Sequence, residues 1–213
     1  SFLYLGDTGH FPYGTKSPEE LRERAEAITA YLIESGTKLL VVACNSATAA
    51  AGPLIHEMGE AAGIPVVTVI GPEAEIAAAI SENGRVGVLA TPATVASGAY
   101  RDALDAAGRP LTVTEVSAPD LASLIQVDLS FDDELIDAVR GHCAPLKEAG
   151  VDTLILGCTH YPLIAPAIQR ILGRDHRQLF DDDGTGLDLD VLRDGLAREH
   201  AHTGHLGALV ADE

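Results

Sequence analysis

Cys44 and Cys158 are the residues best placed to do chemistry in this chain, because each closes a matching phrase. Residues 36–46 read GTKLLVVACNS and residues 150–160 read GVDTLILGCTH. In both, a glycine is followed eight positions later by the cysteine, with an apolar run just before it. Such a run, ended by small or hydroxyl residues, reads as a buried strand entering a helix. Both thiols then lie at the carboxyl ends of strands, where open α/β sheets bind ligands. A strand-to-helix turn exposes unpaired N–H groups and the positive end of the helix dipole. Both favour a thiolate over a thiol, and a carboxylate placed beside it. Asn45, Ser46 and Thr48 after the first cysteine, and Thr159 and His160 after the second, add donors for such an anion. A free thiol titrates near about 8.5, so modest help makes it a usable base at neutral pH. Two thiols on two related units fit a reaction that needs one base on each side of its substrate.

His160, two residues beyond Cys158, either exchanges a proton with that thiol or caps the start of a helix. Pro12-Tyr13-Gly14 follows the first strand, so it is either a tight turn or a source of backbone N–H groups for a ligand. Thr91 and Thr94 flank a helix-starting proline and either cap that helix or donate to a ligand. Cys143 lies inside a helical stretch and reads as structural. Cys158-x-His160 has no second pair at ligand-like spacing, and His142-Cys143 is adjacent on a helix, so no metal is expected. His176, His200, His202 and His205 are given no specific role. Neither a Walker lysine motif nor a dinucleotide glycine fingerprint is present, so no nucleotide cofactor is indicated.

The elements that must position these residues alternate between strand and helix, the signature of parallel sheets with helical crossovers. Strand 2–6 leads into the turn-rich GDTGHFPYGTKSP. Ser17-Pro18-Glu19-Glu20 starts a helix to about Ser35. Strand 38–43, a helix from about Ser46 and strand 64–70 follow. A second set comprises helix 72–82, strand 85–89, a helix from Thr91-Pro92 to about Ala107, strand 111–116 and a short helical piece at 119–126. Helix 131–149, strand 152–156 and helix 162–172 complete it. A strand near 177–180 and a helix near 187–200 close the chain, and the tail after His200 has little periodicity. The repeated cysteine phrase points to two like α/β domains, residues 1–68 plus 181–213 and residues 69–180. Ser1 stands where an apolar run is already under way, so the sequence is expected to start downstream of a longer chain's beginning.

Composition narrows the function classes. The chain has 32 acidic and 14 basic residues, a formal charge of −18, and its only lysines are Lys16, Lys38 and Lys147. That field argues against nucleic acid or an anionic membrane as partner. An anionic substrate must therefore be held by local dipoles. There is no Trp, and nine Phe and Tyr together leave few stacking platforms. Three cysteines without close pairing fit a reducing compartment, and the apolar runs are of strand length.

PYG at 12–14, ACNSATA at 43–49, the T-x-x-T-x-x-S-x-x-Y of Thr91, Thr94, Ser97 and Tyr100, and LGCTHYPL at 156–163 together resemble glutamate racemase, in the aspartate/glutamate racemase superfamily. The resemblance spans roughly residues 1–180. It implies two flavodoxin-like, open parallel-sheet domains related by a pseudo-two-fold, with the active site between them and no cofactor. It implies that Cys44 and Cys158 are the two catalytic bases, aided by His160, one thiolate removing the α-proton of glutamate while the opposite thiol protonates the other face. By the same resemblance Tyr13, Gly14, Asn45, Ser46, Thr159 and His160 hold the substrate, with Thr94 and Thr91 contacting it from the second domain. D-glutamate would then serve peptidoglycan synthesis in the cytoplasm, with a homodimer left open.

Two departures accompany the resemblance. The family opens with a strand ending in Asp-Ser-Gly beside the first cysteine, which is absent here, and without that strand the first sheet is expected to have an unfilled interior position. Gln126 in SLIQVD stands where the family has a glutamate, and Asp128 is a candidate to compensate. Competing readings are racemisation of another small acid such as aspartate or a hydantoin, and a non-catalytic homologue that binds an acidic amino acid.

Overall fold

The computed structural model describes residues 2–173, together with the backbone of 177–178 and 206–210. Its strands are β1 (Phe2–Gly6), β2 (Leu39–Val42), β3 (Val66–Thr68), β4 (Arg85–Ala90), β5 (Thr112–Ser117), β6 (Thr153–Gly157), β7 (Arg177–Gln178) and β8 (Leu206–Val210). Its helices are α1 (Pro18–Glu34), α2 (Asn45–Ala62), α3 (Ile70–Ile80), α4 (Pro92–Ser97), α5 (Ala99–Ala106), α6 (Leu121–Val127), α7 (Asp133–Glu148) and α8 (Ala165–Leu172). Two four-stranded sheets result, in the orders β1-β8-β2-β3 and β5-β4-β6-β7, and every pairing in them is parallel. Parallel strands need crossover helices on the faces, which is why β2, β4 and β6 read as nearly unbroken apolar runs.

The tail after His200 contains a strand, contrary to expectation. β8 lies between β1 and β2, pairing Gly6 with Val210 and Val42 with Leu209. The interior position expected to be unfilled is thus occupied by a strand from the other end of the described chain. An interior strand satisfies N–H and C=O groups on both neighbours, which an open slot would leave unpaired. The helix expected near 187–200 lies outside the described residues.

Helix α1 starts as its sequence dictates. Ser17 Oγ accepts from Glu20 N–H at 3.2 Å and Glu20 Oε2 accepts from Ser17 N–H at 2.9 Å, a capping box with Pro18 at the first helical position. Its buried stripe of Leu21, Ala25, Ile28 and Leu32 has helical period and packs with Leu40 and Val42 of β2 and Ala47, Ala51 and Ile55 of α2. In the second sheet alternate residues of β4 and β6 face opposite sides. Val86, Val88, Ala90 and Ile155 pack on α3 and α5, while Leu89, Leu154 and Leu156 pack on α6, α7 and α8. The single helix expected from Pro92 to about Ala107 is two, broken at Gly98, whose left-handed backbone (φ 71°) ends α4.

Candidate active site

The first thiol is placed by the β2–α2 turn. Cys44 is the N-cap of α2, and its Sγ accepts the Ala47 N–H at 3.4 Å. Sulfur therefore sits at the positive end of an 18-residue helix. The second thiol is placed differently. After β6, Cys158 enters a turn in which Tyr161 N–H bonds to Cys158 C=O at 3.1 Å, followed by a 3-10 segment at Tyr161–Ile164. The regular helix begins only at Ala165, so the helix-dipole expectation holds for Cys44 and is corrected for Cys158. All three cysteines are buried and reduced.

Both thiols line one small cavity, with about 270 Å³ of space between its atoms. Its walls are Tyr13, Gly14, Cys44, Asn45, Ser46, Thr91, Cys158 and Thr159, with Phe11, Pro12 and Ala122. Of the expected substrate contacts, Thr94 and His160 stand behind the wall rather than in it. Ser46 Oγ bonds Thr91 Oγ1 at 2.9 Å and Thr94 Oγ1 at 3.3 Å, and the two threonines bond each other at 3.1 Å. Thr91 also caps α4 through the Thr94 N–H, so it caps the helix and faces the cavity at once. Among the described residues the lining contains no Lys or Arg. An anion there is met by N–H groups and hydroxyls of those residues.

His160 makes no capping bond. Its Nδ1 lies 3.9 Å from Cys158 Sγ and its Nε2 2.9 Å from Gln126 Oε1. Burial pushes its pKa down, which favours the neutral ring. The Phe11 ring lies 5.5 Å from it, centroid to centroid, and carries the Pro12-Tyr13-Gly14 turn against the turn that follows β6. Gly14 approaches Thr91 so closely that a Cβ there would lie 2.4 Å from Thr91 Cβ. Asp128 ends α6 as its C-cap, and it is Gln126 that reaches His160.

Tyr13 keeps its ring at the wall and its hydroxyl behind it, donating to Asp7 Oδ2 at 2.6 Å. Asp7 also accepts from Arg24 at 2.9 and 2.8 Å and from His10 at 2.9 Å. Burial alone would push the Asp7 carboxyl up, but the Arg24, Tyr13 and His10 hydrogen bonds outweigh it and hold it down at about 2. A carboxylate so fully engaged is a brace for Tyr13, not a base. A second carboxyl, partly buried, lies behind Asn45. Glu73 Oε2 accepts from Tyr100 OH and, at 3.3 Å, from Asn45 Nδ2, and Asn45 Nδ2 also donates to Tyr100 OH at 2.7 Å. Burial pushes Glu73 up to about 7 against the pull of these bonds.

The sequence signals singled out Pro12 but not Phe11 or Ala122 in the wall, nor the roles of Asp7 and Glu73 behind it. Phe11 directly precedes the Pro12-Tyr13-Gly14 turn. An alanine on α6 carries no signal at all.

Two parallel-sheet α/β units thus each present a thiol from a strand end to one cavity. The sequence profile of the Asp/Glu/Hydantoin racemase family matches residues 3–181, and the chain belongs to that family. Its relatives include the glutamate racemase of Acidothermus cellulolyticus, 42% identical over 186 residues, covering 87% of this chain and 69% of that protein. The glutamate racemase of Mycobacterium leprae is 43% identical over 173 residues, covering 81% of this chain and 62% of that one. Among solved structures, glutamate racemase RacE1 of Bacillus anthracis superposes with a TM-score of 0.84 at 32% identity, over 97% of this chain and 77% of its own. The Francisella tularensis glutamate racemase, solved with D-glutamate, gives 0.81 at 27% identity over 96% and 75%. The fold is thus that of glutamate racemase, two flavodoxin-like domains. No helix among the described residues is long and apolar enough to cross a membrane.

Proposed function

We propose that this protein racemises glutamate, interconverting the L and D forms without a cofactor, in the cytoplasm and in the service of peptidoglycan synthesis. The observation that carries the reading is that Cys44 and Cys158, from two different sheets, line the same cavity. Inversion at one carbon requires a proton to leave one face and another to arrive at the opposite face. One thiolate takes the α-proton, the other thiol donates its own, and the roles exchange in the reverse direction. The charge that develops on the α-carboxylate is met by preorganised N–H and hydroxyl donors around Asn45, Ser46, Thr91 and Thr159. His160 returns the Cys158 proton through Nδ1, being tethered at its other nitrogen by Gln126.

The test is exchange of the α-proton. L-glutamate incubated with the reduced protein in deuterated water should lose optical rotation and gain one deuterium at the α-carbon. Rotation retained without deuterium uptake would overturn the reading. Aspartate and a hydantoin run in parallel resolve the substrate, and calorimetric glutamate binding without exchange would identify a binding protein.

A further inference from the structure

Tyr100 touches the neighbours of both thiols. It is wholly buried on α5, and its hydroxyl accepts from the amide of Asn45, the residue after Cys44, at 2.7 Å. Its ring lies against Gly157, the residue before Cys158. A Cβ on Gly157 would stand 2.8 Å from Tyr100 Cε2 and 2.9 Å from Ala90 Cβ, so the glycine exists at this position to let the ring in. One rigid side chain therefore spans from one cysteine turn to the other. Glu73, from α3, accepts a hydrogen bond from the Tyr100 hydroxyl and a second from Asn45 Nδ2. The phenol thus cannot swing without breaking two polar contacts, the one to Asn45 fully buried and the one to Glu73 partly so.

We propose that Tyr100, braced by Glu73, is the strut that sets the separation of the two thiols. A tyrosine suits the task, because its planar ring has few rotatable bonds and ends in a hydrogen-bonding group. The cavity-facing side of the Asn45 amide is oriented by the same bonds, so the strut also aims one of the donors that meet substrate. Tyr100 and Glu73 do not line the cavity, so both are positioning residues. Their weight in catalysis rests on the racemase reading, whereas their weight in positioning the thiols does not.

The chain carries its own control for this idea. Cys143 is buried within α7 on the far side of β6, away from the strut. Rates of iodoacetamide alkylation at each cysteine of the folded full chain, resolved by peptide mass spectrometry, separate local from global loosening. Tyr100→Phe keeps the ring against Gly157 and removes only the hydroxyl. Glu73→Leu removes the brace, and Glu73→Gln keeps an acceptor oxygen. The expected result is that Tyr100→Phe and Glu73→Leu speed alkylation of both Cys44 and Cys158 at least fivefold relative to Cys143, and that Glu73→Gln restores the wild-type ratio. Ratios unchanged, all three cysteines rising together, only one of the pair responding, or Glu73→Gln behaving like Glu73→Leu would each overturn the strut. In the racemisation assay the two disrupting variants should lower kcat tenfold or more while moving KM less than threefold. An unchanged kcat would overturn the catalytic part. A wild-type chain that exchanges no α-proton would defeat the racemase reading instead, and the alkylation ratios would still decide the strut.

Discussion

Gln126 decides which nitrogen of His160 carries a proton. Its amide oxygen accepts from Nε2 at 2.9 Å, so the neutral ring turns the Nδ1 lone pair toward Cys158 Sγ. Gln126→Glu would place a carboxylate at the same position and stabilise the imidazolium, raising the His160 pKa. An NMR titration of the ring checks this, and a titration that does not move would contradict it. The thiols carry a larger effect. Cys44→Ser or Cys158→Ser should each lower kcat by about 10²–10⁴-fold, the usual worth of a positioned acid or base, while Cys143→Ser leaves α-proton exchange in the protein that remains folded within about twofold. Cys44 and Cys158 were legible in the sequence because equal spacing after a glycine is visible without coordinates. Asp7 was not, since its role depends on three donors that come from His10, Tyr13 and Arg24 and meet only in space.

At the scale of elements, the approach of the Pro12-Tyr13-Gly14 turn to α4 joins the first sheet's loops to the second sheet's helices. Gly14→Ala would drive a methyl into the Thr91 side chain, whose hydroxyl also holds Ser46. The overpacking should cost about 1–3 kcal/mol, read as a lowered denaturant midpoint, and should raise KM for glutamate because Thr91 lines the cavity. A variant as stable and as active as the parent would show that the turn yields freely. The start of α1 could be read from Ser17 to Glu20 because capping is a local contest between neighbouring groups. The break at Gly98 could not, since Thr91 through Tyr100 has the spacing of one continuous helix. β8 escaped for a related reason: LGALV is short, and nothing within five residues says that two other strands wait on either side of it.

For the whole molecule, two carboxyls tilt stability in opposite directions with pH. Asp7, held down at about 2 from an ordinary 3.8, adds stability that is complete above 3.8 and is lost as pH falls through 2, worth about 2 kcal/mol. Glu73, raised to about 7 from 4.5, adds stability that is complete below 4.5 and is lost as pH rises through 7, on the order of 3 kcal/mol. Stability should therefore pass through a maximum near about pH 4–5 and decline toward neutrality. Denaturant midpoints measured from pH 4 to 8 check this, and Glu73→Gln should flatten the upper decline. A decline that persists unchanged in that variant would assign it to the net charge of −18 instead. The overall architecture was legible because alternating strands and helices leave few topologies, whereas the order of strands within the first sheet was not. That order bears on how the protein is made. On the ribosome, β4, β5 and β6 emerge consecutively and can pair while synthesis continues. β1 and β2, although translated earlier, have to wait for Leu206–Val210 before the sheet that carries Cys44 can close. The half of the site made first is therefore the half finished last.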